Sequence, residues 1–189
     1  MAGLDVVVTV GMGRFPFDRL VNAVEPLCAD HRVFAQTGTS KVVLSCEQRD
    51  FVSYDELVER FRRADVVVTH AGNTVRLVQR IGVVPVAVAR RPELGEMADD
   101  HQVRYLELER RVGRVIALDD VRCLPEVVAD HLRVAAVLQR ERTLAPAVDP
   151  TALADCIDGL MRPFVQRQLV RRQLVHRRRR WSELAEGRQ

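Results

Sequence analysis

Three runs of β-branched and small apolar residues constrain the fold of this chain more than any other feature. They lie at residues 6–10, 65–69 and 84–89. A strand that is buried on one face alternates apolar and polar side chains, whereas these runs are apolar at almost every position. Such runs are typical of strands that are buried on both faces of a parallel sheet. They therefore predict an α/β fold in which helices cover both sides of the sheet.

Segments with helical periodicity alternate with strand-like segments along most of the chain. The spacing predicts helices at 18–29, 55–63, 73–81, 98–112 and 121–140. Shorter strands are predicted at 32–35, 41–45, 49–52 and 114–118. This alternation indicates βαβ units and a Rossmann-like parallel sheet.

Two prolines among small residues indicate a linker at 143–150, which separates two predicted parts of the chain. Residues 1–142 form the predicted Rossmann-like domain, and residues 151–189 form a basic extension with helices at 151–161 and 163–181. The 189 residues are 47% hydrophobic and 29% charged, which suits one domain with an appendage.

No apolar stretch approaches the roughly 20 residues that cross a bilayer, and no basic leader precedes the first strand. The four cysteines, Cys28, Cys46, Cys123 and Cys156, show no metal-ligand or redox spacing. We therefore expect a cytoplasmic protein with reduced thiols. Peripheral attachment at the inner face of the membrane is an alternative.

The charge is distributed unevenly between the two predicted parts. Residues 162–189 hold nine arginines and two glutamates, a local charge of +7, which leaves −4 for residues 1–161. The basic segment has three alternative explanations: packing on the domain or a partner, contact of residues 162–181 with an anionic membrane, and nonspecific nucleic-acid binding. Specific nucleic-acid recognition is not expected, since no reading module is present.

Two glycine-containing loops follow predicted buried strands, where α/β proteins bind ligands. The first loop comprises Gly11, Met12, Gly13 and Arg14, and the second runs from His70 through Gly72, Asn73 and Thr74. Glycines expose backbone N–H groups, and a helix N-terminus favours an anion. A steric turn and a simple helix cap remain the alternatives.

Two further loops follow the other strands. Gln36, Thr37 and Gly38 form a small polar loop that, taken alone, is an ordinary turn. Arg90 closes a strand, and Asp100 and Gln102 stand at the start of the next helix. A carboxylate and an amide at this place suit sugar hydroxyls, although the acid also suits a first helical turn.

Taken together, these loops carry a resemblance to a known family. The matching segments are 8–11, 17–21, 36–38, 54–57, 64–72, 90–91 and 95–102, all within residues 5–120. Over this stretch the chain resembles the C-terminal, nucleotide-sugar-binding domain of family 28 glycosyltransferases. It is most similar to stand-alone subunits that act with a membrane-associated partner, as in dolichol-linked UDP-N-acetylglucosaminyltransferases and exopolysaccharide glucuronosyltransferases.

The resemblance implies the donor-binding half of a GT-B hexosyltransferase that transfers sugar from a UDP-sugar with inversion. It implies that the backbone of Gly11–Arg14 and Gly72–Thr74 holds the diphosphate, with Gln36–Gly38 lining the same cleft. Asp100, Gln102 and Arg90 complete the implied donor site, and His70 is the candidate catalytic residue. The implied partner is a second, acceptor-binding subunit or another copy of the chain, and neither a metal nor another cofactor is expected.

One position departs from the family pattern. Leu77 stands where the family places a glutamate that holds the ribose hydroxyls. The rival prediction is therefore a non-catalytic relative that has lost strong nucleotide binding. A third class, an NAD-dependent enzyme, is disfavoured because the first loop lacks the third glycine of the dinucleotide fingerprint. The general base is not visible, since His70 and His101 qualify only by their chemistry.

Overall fold

A computed structural model describes residues 3–141 of the chain. Those residues form one six-stranded sheet, and every adjacent pair of strands is parallel. The sheet order is β3-β2-β1-β4-β5-β6. The strands are β1 (Asp5–Thr9), β2 (Arg32–Gln36), β3 (Glu47–Arg49), β4 (Val66–His70), β5 (Val86–Val88) and β6 (Ile116–Ala117). The predicted Rossmann-like parallel sheet is confirmed. The predicted linker at 143–150, the helices at 151–161 and 163–181, and the membrane-contact segment 162–181 lie outside the described residues.

Helices cover both faces of this sheet. They are α1 (Asp18–Val24), α2 (Leu27–Asp30), α3 (Tyr54–Arg63), α4 (Asn73–Arg80), α5 (His101–Arg111), α6 (Leu124–Ala129) and α7 (His131–Glu141). Alternate side chains of β1 enter different clusters: Val6 and Val8 pack with α1 and α6 residues, whereas Val7 packs with Phe61 of α3 and Val78 of α4. This two-sided burial explains why the strand sequences lack polar alternation.

Two predicted helices are interrupted in the structure. The helix predicted at 18–29 breaks at Pro26 because proline supplies no amide hydrogen to the helix, so α1 ends at Val24 and α2 begins at Leu27. The helix predicted at 121–140 comprises a 3₁₀ turn, α6 and α7. The break between the last two falls at Asp130.

The prediction of a strand at 41–45 was wrong. A side chain replaces the sheet partner there: the Leu44 N–H donates to Gln48 Oε1 at 2.6 Å, and the Gln48 amide donates to the Val42 carbonyl at 3.4 Å. The short strand predicted at 49–52 is found at β3, two residues earlier. The helix predicted to begin at residue 98 begins at His101, whose N–H donates to Asp99 Oδ1.

The sheet order places a crevice at one specific edge. β1 pairs with β2 on one side and with β4 on the other. The chain continues from β1 to β2 but from β4 to β5, so the connections that follow β1 and β4 leave in opposite directions. In open parallel sheets, ligands bind outside the carboxyl ends of the strands at such a switch point. Within residues 3–141, no helix has the length and hydrophobicity of a membrane span.

Candidate functional site

A cleft of about 660 Å³ opens at this switch point. Its volume lies within the range of small-molecule binding sites. Its walls come from the ends of β1, β2 and β4, from the bends that follow β1 and β3, and from α3 and α4. The lining residues are Thr9, Gly11, Met12, Gly13, Gln36, Val52, Tyr54, Leu57, His70, Asn73, Thr74, Arg76, Leu77 and Arg80.

A second groove, of about 560 Å³, lies at the other end of β1 and β2. Its arginines already pair with its own carboxylates: Arg32 with Asp5, and Arg60 with Glu47 and Glu56. Since its charges are satisfied internally, this groove offers little to a charged ligand. The switch-point cleft is the better candidate.

The His70 imidazole lies between the two predicted glycine bends. A β-carbon built on Gly11 would lie 2.5 Å from Cε1 of the ring, and one built on Gly72 would clash with the same ring at Nε2. Gly11 also has φ of 77°, which disfavours any side chain there. The two bends therefore converge on one histidine, which occupies the space between their backbones.

The histidine is held in its neutral form. Burial, together with the nearby positive charge of Arg90, lowers the pKa of His70 to about 4. Its Nδ1 lies 3.4 Å from the Thr69 hydroxyl. A side chain with this pKa is a weak proton acceptor at neutral pH, so the geometry favours His70 as a positioning or hydrogen-bonding group.

A hydrogen-bond chain links the first bend to Gln36. The Gly11 N–H donates to the Thr9 hydroxyl at 3.2 Å, and this hydroxyl donates to Gln36 Oε1 at 2.5 Å. The bond from the hydroxyl to Oε1 orients the Gln36 amide. The amide nitrogen of this buried residue is left as a donor for the cleft that Gln36 lines.

The second bend opens α4 with unsatisfied amides. The Gly72 N–H donates to the His70 carbonyl at 2.8 Å, and the Val75 N–H donates to the Gly72 carbonyl at 3.0 Å. Gly72 is the N-cap, and no side chain caps the helix. The Gly72 amide, which was expected to face the diphosphate, is thus already bonded within the protein, and Gly72 does not line the cleft. The amides of Asn73 and Thr74, which have no intrahelical acceptor, remain for an anion.

Thr37 and Gly38 support the cleft from behind. Their amides donate to the carbonyls of Arg49 and Asp50, at 3.0 and 2.8 Å. A β-carbon on Gly38 would lie 3.1 Å from the Gly11 carbonyl oxygen. Neither residue lines the cleft as expected: Gly38 packs against the Gly11 bend, Thr37 is bonded to Arg49, and Gln36 is the member of this loop that lines the cleft.

Arg90 is a structural strut. Its buried guanidinium donates to the carbonyls of Val10, Phe15 and Pro16 at 2.8–3.0 Å, and it stacks 4.5 Å from the centre of the Phe17 ring. These bonds tie the end of β5 to the loop after β1. Since protein carbonyls use its donors, Arg90 shapes the first bend and does not line the cleft.

Three more of the predicted donor-site residues lie outside the cleft: Asp100 and Gln102, expected at the sugar, and Arg14, expected at the diphosphate. The Gln102 side chain is buried, and its Oε1 accepts from the Arg90 N–H at 3.2 Å. Asp100 is exposed and pairs with Arg104 one turn along α5. Arg14 is exposed and lies over the Phe15 ring at 5.0 Å. The structure therefore groups Gly11, Met12, Gly13, Gln36, His70, Asn73 and Thr74 around the cleft, and leaves these three residues outside it.

Two cationic side chains line the cleft one helical turn apart. Exposed arginines elsewhere, such as Arg62 and Arg111, pair with carboxylates on their own helix. Within residues 3–141, neither Arg76 nor Arg80 has a carboxylate at salt-bridge distance. The Arg76 guanidinium lies 5.9 Å from the centre of the Tyr105 ring. Since no acidic residue lines the cleft, its charge favours an anionic ligand.

Sequence reasoning missed the apolar wall of the cleft and the contribution of Arg80. Val52, Leu57 and Leu77 pack partly against the core under α3 and α4, and Tyr54 is exposed at the mouth. The i, i+4 spacing of Arg76 and Arg80 was the available signal, because residues four apart share a helix face. The apolar wall could not be predicted from the sequence, because it forms only where α3 packs against α4.

Comparison with models of known protein families finds no match for this chain, and comparison with curated proteins finds none either. The described residues also bring together no group of three histidine, cysteine or acidic side chains that could hold a metal ion.

Proposed function

We propose that this chain is a glycosyltransferase subunit that binds a UDP-sugar and transfers the sugar, with inversion, to an acceptor supplied with a partner. The observation that carries the proposal is the make-up of the switch-point cleft, whose wall contains the uncapped N-terminus of α4 and two arginines but no acidic residue. The position at the β1–β4 switch point is where nucleotides bind in folds of this order. The resemblance to family 28 enzymes supports the same activity.

The cleft offers distinct surfaces for the parts of such a donor. The amides of Asn73 and Thr74 and the guanidinium of Arg76 suit the diphosphate. The apolar side chains of Leu57 and Leu77 suit the nucleoside, with Tyr54 at the mouth available to stack on the base.

In the proposed reaction, an acceptor hydroxyl attacks the anomeric carbon from the face opposite the diphosphate. The new glycosidic bond forms, the bond between the anomeric carbon and the phosphate oxygen breaks, and UDP leaves with that electron pair. Negative charge grows on the diphosphate as this bond breaks. Preorganised donors at Asn73 and Thr74 therefore stabilise the transition state more than the bound donor.

The hydroxyl proton must pass to a base that stands near the acceptor. The low pKa of His70 makes it a poor base at neutral pH, so we assign proton removal to the acceptor-binding partner. That partner is a membrane-associated subunit or a second copy of this chain. We propose that the protein works in the cytoplasm or at the inner face of the membrane, where UDP-sugars are available.

The rival proposal is an auxiliary protein that keeps the fold without strong nucleotide binding. Leu77 favours it, because an alkyl side chain lines the cleft where a carboxylate would hold the ribose hydroxyls. Such a bond to a charged acceptor contributes about 1.5–3 kcal/mol, which corresponds to about a ten- to hundredfold change in affinity.

Calorimetric titration of the full chain with UDP and UDP-hexoses tests the proposal. The variant Arg76→Gln removes a cleft cation and should weaken binding of UDP about tenfold, from the loss of one charge-assisted bond. The matched control is Arg62→Gln, which removes an exposed arginine of α3 outside the cleft and should leave binding unchanged. Absence of UDP binding, or an equal effect of both variants, would contradict the proposal.

A further inference from the structure

The cleft is rich in hydrogen-bond donors and contains no carboxylate. Among its 14 lining residues there are two arginines, a neutral histidine, an asparagine and a glutamine, but neither aspartate nor glutamate. The Oε1 atom of Gln36 is already occupied by the Thr9 hydroxyl. Phosphate oxygens therefore find many donors in this cleft, whereas a ligand hydroxyl that seeks a carboxylate acceptor finds none.

Leu77 occupies the position where the lack of an acceptor matters most. It follows Asn73 by four residues on α4, so the two residues share one helix face and stand about 6 Å apart along the axis. In a nucleotide, the 5′-phosphate is joined to the sugar ring through a single exocyclic methylene group, C5′. A phosphate seated on the Asn73 and Thr74 amides therefore places the pentose beside Leu77.

The surroundings of Leu77 are alkyl as well. Its side chain, with those of Val52 and Leu57, packs against a buried cluster that includes Phe61 and Val78. A pentose against this wall loses water from one side. A 2′-hydroxyl that faces these alkyl side chains would give up hydrogen bonds to water and gain none from Val52, Leu57 or Leu77, and such desolvation is unfavourable.

We propose that this cleft prefers a 2′-deoxynucleoside diphosphate, free or carrying a sugar, over the matching ribonucleotide. The inference rests on the proposed function, because it takes the donor-binding cleft as given. It deepens that function by specifying the pentose: among donor nucleotides that the cleft binds, one without a 2′-hydroxyl, such as dTDP, is preferred over UDP. At C2′ the deoxynucleotide carries only hydrogens, so it contacts the alkyl wall without desolvating a hydroxyl.

Titration with UDP and 2′-deoxy-UDP tests this preference directly, since the two ligands differ only in the 2′-hydroxyl. The full chain should bind 2′-deoxy-UDP about three- to tenfold more tightly, as expected for a wall that cannot satisfy one hydroxyl. A comparison of 2′-deoxy-UDP with dTDP then isolates the methyl group of the base. Equal affinities for UDP and 2′-deoxy-UDP, or tighter binding of UDP, would overturn the inference.

A pair of variants at one position adds a second test. Leu77→Glu supplies the absent carboxylate and should reverse the preference, so that UDP binds about tenfold more tightly than 2′-deoxy-UDP. Leu77→Met keeps an apolar side chain of similar volume and should retain the preference for the deoxynucleotide. Circular dichroism of both variants establishes that they are folded.

The outcomes separate this inference from the proposed function. If the folded protein binds none of the three nucleotides at millimolar concentration, both proposals fail and the auxiliary-protein alternative stands. If it binds UDP more tightly than 2′-deoxy-UDP, only the deoxynucleotide preference fails and the UDP-sugar proposal is strengthened. If Leu77→Glu leaves the ratio of affinities unchanged, Leu77 does not contact the pentose and the inference also fails.

Discussion

The imidazole of His70 occupies the space that a β-carbon on Gly11 would need, with its Cε1 atom only 2.5 Å from that position. The bend after β1 and the bend after β4 are thus fitted to each other through one side chain. This fit brings the two loops to the same cleft. It also means that a larger residue at position 11 would displace the His70 ring.

Gly11→Ala should lower the free energy of unfolding by about 1–3 kcal/mol, because the new methyl meets the His70 ring and the residue keeps a positive φ. The matched control is Gly13→Ala, whose β-carbon would meet no atom within 4 Å. Urea denaturation of both variants measures the difference.

The double variant Gly11→Ala, His70→Ala separates the clash from the backbone strain. Removal of the ring should recover the part of the lost unfolding free energy that the clash causes, so that the part caused by the positive φ at residue 11 remains. Purely additive losses from the two substitutions would mean that the methyl and the ring do not interact.

The pH dependence of stability should carry a signature of His70. Its folded pKa of about 4 lies below the ordinary value of 6.5, so the unfolded chain binds more protons between these two values. The contribution of His70 to the free energy of unfolding is therefore fully present above pH 6.5. It is lost as the pH decreases toward 4, and the loss amounts to about 3 kcal/mol.

Denaturation of the wild type and of His70→Gln between pH 7.5 and pH 4 measures this contribution. The variant should lose about 3 kcal/mol less over that range. The comparison is needed because burial also lowers the pKa of His131, which acts in the same direction. An NMR titration of the His70 ring protons checks the value directly, and a midpoint near 6.5 would contradict the structural explanation.

Arg90→Gln should destabilise the protein by at least about 2 kcal/mol, because the carbonyls of Val10, Phe15 and Pro16 lose their shared donor. It should also raise the pKa of His70, since the positive charge of Arg90 contributes to lowering it. Thermal denaturation and the NMR titration read out the two effects.

Arg91→Gln is the matched control for this substitution. Its guanidinium makes one exposed contact, with the Asp119 carbonyl at 3.4 Å. It should therefore change stability by less than about 0.5 kcal/mol and leave the pKa of His70 unchanged. Equal effects of the two variants would exclude a special role for Arg90.

The sequence was sufficient to predict the sheet and the place of the cleft, but not the identity of every lining side chain. The runs at 6–10 and 65–69 predict buried parallel strands because periodicity reports burial directly. Polar residues give no such signal. Arg90 and Gln102 looked like ligand contacts, and only the tertiary packing shows that backbone groups of the protein use their hydrogen bonds.

The same limit applies to the expected turns and strands. The apolar segment 41–45 has the composition of a strand, yet the Gln48 side chain bonds to Val42 and Leu44 and takes the place of a neighbouring strand. Such a competition between a side chain and a sheet depends on where Gln48 lies in three dimensions, and spacing along the chain does not report it.

The Thr9 hydroxyl provides a final prediction, since it is both the acceptor for Gly11 and the donor to Gln36. Thr9→Val removes both bonds inside the protein and should lower the free energy of unfolding by about 1–3 kcal/mol. It should also weaken nucleotide binding, because the Gln36 amide is then free to rotate and no longer presents its nitrogen to the cleft. Thr69→Val is the matched control: Thr69 is the partner of Thr9 in β4 and is equally buried, but its hydroxyl lies 3.4 Å from His70 Nδ1 and does not link Gly11 to Gln36. If the two variants lose equal stability and equal affinity, the hydrogen-bond chain through Thr9 does not orient Gln36.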